Sequence, residues 1–592
     1  MNRAHPSISP ISAAALTVSL LLPCWSQAQP AARLNVSDFG AKGDGETNDL
    51  PAIQKAIDAA ILKGPGTVVT IPSGHFRLIP TSPQQRSHLE FRHARGITIT
   101  GNRDSFLDCA DPRSDVFRIV DSSDITISSL KLERHPFVFT QGIIQSISVA
   151  DKTVEVAVDQ GYDEPDSKYI APLNFLMIFA DPATGTWHHD AAWPPEIQKR
   201  ERLEVRHWRF TLSRAPEPIY VGKPFAIWRN VYGGWGLSMN GSKNIRVRDV
   251  AYYAGGGQGG FVINHCEGEI WFTRFSVTVP PGSGQRFASA GGAMVFNNRI
   301  RLLIDDCDFA LTDDDNINMG TNSSHVIAQD GPRKLRIEPA RGDYRPGDRV
   351  ELWDWVAKTV RTEAKVVSVS HDKQWDEISL DHDVKAGQTG VGPLAEFRAA
   401  NPKGDIHPAR RANEYDGIDR LVDLDDAGTA IIRNSRFQSL RARNLLIKTS
   451  DTLIENNVFH DTAMTAILAG PEFYWDEGPA VRHLVIRNNR FENISGSSIF
   501  VAAHTTQSEF PPHDTRAHPL PDSLVNRDIT IEGNTFTGYG HFKLGIAGKQ
   551  GAPIYLRNVD GAVIKNNKIG SPDPDCPGGD RIVIEASRDV LR

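Results

Sequence analysis

One short unit returns again and again along this chain, and it restricts the fold more than any other feature. It reads apolar-x-apolar, two residues, Asn or another small polar residue, one residue, apolar. The clearest copies are Ile431–Phe437, Leu453–Phe459, Val485–Phe491 and Ile529–Phe536, with a weaker one at Val563–Ile569. Earlier echoes lie at Ile97–Phe106, Ile125–Leu132, Ile245–Val250, Ile270–Val277 and Leu302–Phe309. Each copy is a strand of alternating pattern, a polar corner and a second short strand. Asn suits the corner because it tolerates the left-handed backbone region and hydrogen-bonds neighbouring backbone. Equivalent asparagines of successive coils would stack as a ladder of mutually bonded amides. The first copies begin 22 and 32 residues apart. Coils of that size, some carrying a loop, predict an all-β parallel β-helix. The apolar runs have strand length and lack a 3.6-residue period, which excludes a helical solenoid. A propeller blade needs four antiparallel strands, and these units hold two or three.

A chain of 592 residues exceeds one ordinary core, since cores split beyond roughly 250–300 residues. A solenoid escapes that limit by growing along one axis. Two segments interrupt the coils. Residues 141–228 and 334–400 carry longer alternating strands without Asn corners, and both read as small inserted antiparallel β subdomains. The predicted order is then a signal peptide at 1–28, an N-terminal cap and first coils at 29–140, the first insertion at 141–228, central coils with an acidic site at 229–333, the second insertion at 334–400, and C-terminal coils at 401–592. Before the coils, Ile53, Ala56, Ile57 and Ala60 share one helical face behind Asn48 or Asp49 as N-cap. This helix is expected to cover the open first coil, because solenoid ends need caps.

The first residues read as an export signal. Arg3 is followed by the apolar stretch Ala13–Leu22 and the small-x-small site Ser26-Gln27-Ala28, with cleavage expected after Ala28. The stretch is far shorter than the ~20 residues a membrane span requires. An exported, periplasmic or secreted protein with no membrane span follows. Cys24 leaves with the signal. Cys109, Cys266, Cys307 and Cys576 are too scattered for a disulfide framework or a zinc site, and read as buried thiols with at most one bridge. The net charge of −7 comes without a basic stripe, which argues against nucleic acid as a partner.

The segment from Val36 through Asp38-Phe39-Gly40-Ala41-Lys42-Gly43-Asp44-Gly45 and Asn48-Asp49 to Ala60 resembles the start of the pectinase-like right-handed β-helix superfamily. Further stretches resemble a narrower group, the α-1,3-galactosidases of glycoside hydrolase family 110. They are Pro136–Gly142, Tyr253–Gly257, Asp314–Asn318, Arg443–Thr449, and Ala466–Leu468 leading to Tyr474-Trp475. The resemblance implies an exo-acting, inverting enzyme that removes a terminal α-linked galactose without a metal. Two departures accompany it. Asn318 is followed by Met319-Gly320 where the family has Val-His-Gly. The small-residue run Ser289–Ala293, about one coil upstream of the aspartates, lacks the acid that in the family looks like the proton donor. Either another carboxylate supplies the proton, or the chemistry differs, or the site only binds.

The candidate catalytic residues are Asp313, Asp314 and Asp315. Neighbouring like charges raise one another's pKa, and glycoside cleavage usually needs one carboxyl as acid and another as base or nucleophile. Asp314 or Asp315 is expected to act as general base, and the other as acid or sugar-binding group. A solvated loop and a calcium site are the alternatives for the run; no cofactor is expected, and calcium is not favoured. Asn318, Arg443, Lys448, Glu472, Tyr474, Trp475 and Glu477 are expected to bind substrate, with the aromatic rings as a wall and Arg443 and Lys448 toward hydroxyls or an anionic sugar. Asp425-Asp426 is a weaker source for the missing acid. His188, His189 and His265 read as ordinary histidines, and Trp228, Trp235 and Trp271 as core or groove wall. The whole points to an exported glycoside hydrolase with a carbohydrate substrate, its site walled by both insertions. A polysaccharide lyase of the same fold, or a non-catalytic carbohydrate-binding β-helix, are the alternatives; the oligomeric state is left open.

Overall fold

A computed structural model describes residues 32–178, 194–229, 232–339, 342–391, 416–505, 520–540, 551–572 and 581–592. The export segment 1–28 with Cys24, His188, His189 and Cys576 lie outside these residues. Cys109, Cys266 and Cys307 are free and buried.

The repeat unit folds as its alternation dictates. Ile431 pairs with Leu453, Leu453 with Val485, Val485 with Thr530 and Thr530 with Val563, all in parallel. The 22-residue and 32-residue spacings are therefore each one turn of the same solenoid, the longer one carrying a loop. Two faces of each coil belong to one 22-stranded sheet, and the third face to a second parallel sheet. The inward apolar residues of the coil strands form one continuous core. Within it Phe309, Phe437, Phe459, Phe491 and Phe536 stack one per coil, with centroids 5.3, 5.2, 4.9 and 4.9 Å apart.

The corner uses two residues where the sequence reading gave both roles to one. The first takes the left-handed backbone: Asn434, Asn456, Asn488, Gly533 and Asn566 all have φ between 54° and 66°. The second builds the ladder. Nδ2 of Asn457 donates to Oδ1 of Asn489, Asn489 to Asn534, and Asn534 to Asn567, each at 3.0 Å. Each of these Nδ2 groups also reaches a strand carbonyl, so a corner that water cannot reach is left without orphaned donors.

The predicted cap is the helix Leu50–Lys63, which buries Leu50, Ile53, Ala56, Ile57 and Ala60. Asn48 Oδ1 accepts from the Leu50 backbone N–H at 3.2 Å, while the Asp49 carboxylate accepts from Lys42 and Gly43 N–H and folds the preceding loop.

The first insertion is a six-stranded antiparallel sheet made by Thr140–Ser148, Thr153–Val158, Phe175–Ile178, Ile197–Glu204, His207–Leu212 and Pro224–Trp228. The second is larger than its pattern indicates. It closes as an antiparallel barrel that begins at Ser324–Gln329, before residue 334, and is completed by Arg420–Asp423, beyond residue 400. The sequence pattern does not mark these two strands, because they carry His, Ser, Arg and Asp, which break the apolar alternation.

Candidate functional site

Asp313, Asp314 and Asp315 occupy the corner between strands Asp308–Ala310 and Ile317–Asn322. The corresponding corner of the coil above is the run Ser289–Gly292, and that of the coil below is Arg441–Asn444. The small residues above are explained by close approach. A Cβ on Gly292 would stand 2.2 Å from the Asn316 carbonyl oxygen, and one on Gly291 3.0 Å from that of Asp315. Asn316 Nδ2 donates to Asn444 Oδ1 at 2.9 Å and ties the lower pair of corners together.

The corners form the floor of a hollow of about 390 Å³, lined by Gln258, Ala290, Met294, the three aspartates, Asn318, Arg441, Arg443, Met464, Trp475 and Glu477, with Phe175, Trp228 and Trp235 on its wall. That volume lies in the range of small-ligand sites, on the order of 300–1,000 Å³. Phe175 and Trp228 come from the first insertion. None of the described lining residues comes from the second, so among the described residues only the first insertion walls the site. The second insertion acts from behind: Trp353 and Trp355 pack on Phe473 at 5.7 and 4.6 Å, and Trp355 Nε1 donates to the Phe473 carbonyl at 3.1 Å. It thereby holds the loop that carries Trp475 and Glu477. Glu477-Gly478 also pairs antiparallel with Thr321 and Asn322, at the end of the strand bearing Asn318.

The three aspartates have different environments. Asp313 is buried and accepts from Arg441 Nε at 2.5 Å. Asp315 is held bidentately, with Arg443 Nε at 2.9 Å from Oδ1 and Nη2 at 3.1 Å from Oδ2. Asp314 is exposed to the hollow, and its Oδ1 accepts from the Asp315 backbone N–H at 3.0 Å. Burial pushes Asp315 up to about 6, against the pull of Arg443 and with help from Asp314. Burial raises Asp313 as well, opposed by Arg441.

Beneath the floor runs a row of alternating charge. Arg443 Nη1 meets Glu472 Oε1 at 3.0 Å, and Lys448 Nζ meets Glu472 Oε2 at 2.7 Å, Glu477 Oε2 at 2.8 Å and Asn318 Oδ1 at 2.6 Å. The Tyr474 hydroxyl donates to Glu472 at 2.7 Å. Lys448, Glu472 and Tyr474 are each 0% exposed. They support the floor rather than line it, which corrects their expected place as contacts to substrate. Burial works against a charge on Glu472, yet Lys448 and Arg443 hold its carboxyl well below the usual range. Glu477 is raised by burial, with the charge of Glu472 adding to it.

The aspartate run does not converge as ion ligands converge, since two of its carboxyls turn onto guanidinium groups. Three carboxyls that come within reach of one ion lie elsewhere: Asp348, Asp423 and Asp425. Asp425 and Asp426 belong to that region and do not line the hollow. Asp425 pairs with Arg349 at 2.7 Å, and Asp426 is buried with its Oδ2 on the Asp343 N–H. Trp271 lies away from the hollow under the Arg246 guanidinium.

Arg441, Gln258, Phe175, Met294 and Met464 were not singled out in the sequence. A signal for Arg441 was present. Phe309 and Phe437 pair in register, and the same 128-residue offset sets Asp313 over Arg441 and Asp315 over Arg443. The others arrive from different coils or from the insertion, with no pattern linking them.

Comparison with known proteins adds to this geometry. A family model described as "Rhamnogalacturonase A/epimerase, pectate lyase-like" matches residues 33–148. The chain is 23% identical to α-1,3-galactosidase B of Bacteroides thetaiotaomicron, over 93% of this chain and 88% of that protein. It is 22% identical to α-1,3-galactosidase A of Shewanella woodyi, over 81% and 79% of the two chains. Among solved structures, the family 28 exopolygalacturonase of Yersinia enterocolitica matches with 13% identity and a TM-score of 0.42, over 95% of this chain and 78% of that one. The pectinase-like start and the resemblance to α-1,3-galactosidases over most of the chain both stand.

Proposed function

We propose that this chain is an exported, exo-acting and inverting glycoside hydrolase that removes a terminal α-linked galactose from a galactan or glycan. The observation that carries the reading is the hollow itself. It joins a solvent-facing carboxylate, Asp314, and a clamped one, Asp315, to tryptophan walls, on a fold whose relatives are named as glycosidases. Aromatic faces favour the apolar face of a sugar ring. Asp314 is the group open to water and acts as general base; Asp315, fixed by Arg443, holds the sugar in register with it.

A neutral sugar is favoured over an anionic one. Arg441 and Arg443 each already hold a carboxylate, and Lys448 lies below the floor between two. A uronate or sulfate would add negative charge to a hollow whose cations are matched. This tells against the lyase alternative, which requires cations directed at a uronic acid.

The test is release of galactose from nitrophenyl α-galactoside and from an α-1,3-linked galactose disaccharide, with Asp314→Asn and Asp315→Asn beside the wild type. Loss of a positioned acid or base costs about 10²–10⁴-fold in rate, so Asp314→Asn should fall by that order at unchanged melting temperature, while Asp315→Asn, which also unmakes the nearly buried pair with Arg443, should lose turnover together with some stability. Proton NMR of the first-formed anomer should show β-galactose. Turnover undiminished in both variants would remove the site assignment, and saturable binding without turnover would leave a carbohydrate-binding protein.

A further inference from the structure

We infer that Glu477 is the general acid of this site, protonating the glycosidic oxygen as the bond to the sugar breaks. The inference rests on the glycosidase reading above and names a role which that reading leaves unassigned.

The hollow is lined by four carboxyl groups: Asp313, Asp314, Asp315 and Glu477. Asp313 is taken by Arg441, and both oxygens of Asp315 are engaged by Arg443. A bidentate guanidinium occupies both oxygens of a carboxyl and leaves neither turned toward a sugar to deliver a proton. Asp314 faces solvent. Glu477 differs from all three. Among the described residues its cationic partner is one ammonium, Lys448 Nζ at 2.8 Å, which also serves Glu472 and Asn318. Glu472 has the stronger claim on positive charge, because Arg443, Lys448 and the Tyr474 hydroxyl all reach it. Along the row Asp315–Arg443–Glu472–Lys448–Glu477, three carboxyls face two cations in a buried setting. One proton restores balance, and the carboxyl least provided for is Glu477, the member of the lower pair that opens on the hollow. Two carboxyls driven apart in this way are the usual signature of an acid beside a permanent anion. Burial and the Glu472 charge, which raise Glu477, act in the same sense.

In the step itself, the Glu477 proton passes to the leaving oxygen as the C1–O bond opens. The oxygen of a water adds to C1 and its proton goes to Asp314. The products are the free sugar and the released alcohol. Solvent then returns a proton to Glu477 and takes one from Asp314. Lys448, charged throughout, stabilises the Glu477 carboxylate as it forms, so its attraction is strongest after the bond has begun to break.

Glu477→Gln separates this role from a supporting one. α-Galactosyl fluoride has a leaving group that needs no proton, whereas the α-1,3-linked disaccharide does. Expected are a fall of about 10²–10⁴-fold in kcat/KM on the disaccharide, a change of less than about tenfold on the fluoride, and loss of the basic limb of the pH profile. Glu477→Asp, which keeps a carboxyl, should recover part of the disaccharide activity and the basic limb. Equal losses on both substrates with no recovery in Glu477→Asp, or an unaltered disaccharide rate and basic limb in Glu477→Gln, would overturn the inference while leaving the glycosidase reading intact. A wild-type protein inactive on both substrates would overturn the two together.

Discussion

Asp313 and Asp315 look alike in the sequence, yet their removal should have different consequences. Asp313 and Arg441 have side chains 5% and 9% exposed, and breaking such a pair strands a buried charge. Arg441→Met is therefore expected to cost about 3–5 kcal/mol of stability, read as a lower melting temperature, whereas Asp314→Asn, at an exposed position, should leave melting unchanged. Asp315 adds a pH dependence. Its carboxyl titrates at about 6 in the folded protein and near ~3.9 in an unfolded chain. Across that window the folded state holds a proton the unfolded chain has released, so this group makes stability fall as pH rises. Urea unfolding at several pH values between 4 and 6 should show a shallower decline in Asp315→Asn than in wild type. An identical slope would mean that Asp315 keeps an ordinary carboxylate.

The corner is the repeated element of the molecule, and its two positions make separate demands. Asn488 sits at φ 56°, where glycine is at least as comfortable, and Gly533 occupies the same slot one coil on. Asn488→Gly should therefore change stability by less than about 1 kcal/mol. Asn489 has φ in the ordinary region and bonds Asn457, Asn534 and the Ile454 carbonyl through its amide. Asn489→Ala leaves buried partners unsatisfied and should cost about 1–3 kcal/mol. Thermal melting of the two variants separates them; equal losses would show that the backbone conformation, not the ladder, sets the requirement.

Across the molecule, the barrel is tied to the coil stack by charge as well as by the Trp353–Trp355–Phe473 cluster. Arg299, on a coil strand, reaches Asp348 at 2.6 Å and Asp423 at 3.2 Å, and Asp423 is wholly buried. Arg349 covers Asp425. The carboxyls that come within reach of one ion thus have internal cations. EDTA is expected to change neither melting temperature nor turnover, while Arg299→Met should destabilise by about 3–5 kcal/mol. A calcium-dependent rise in melting temperature would point to an ion at Asp348, Asp423 and Asp425.

The coil, its corner residues, the capping helix and the position of the acidic run were all legible along the chain. Each depends on residues close in sequence, through alternation, left-handed backbone tolerance or one helical face. What could not be read was which partner each charge meets. Asp315 finds Arg443 at 128 residues' distance, Trp228 and Phe175 come to the hollow from an insertion, and the loop holding Glu477 is braced by the barrel's Trp355 on Phe473. Lys448 and Glu472 resemble binding residues until folding buries them. Stacking register and insertion docking set these contacts, and both are sums over many weak long-range interactions that no local pattern encodes.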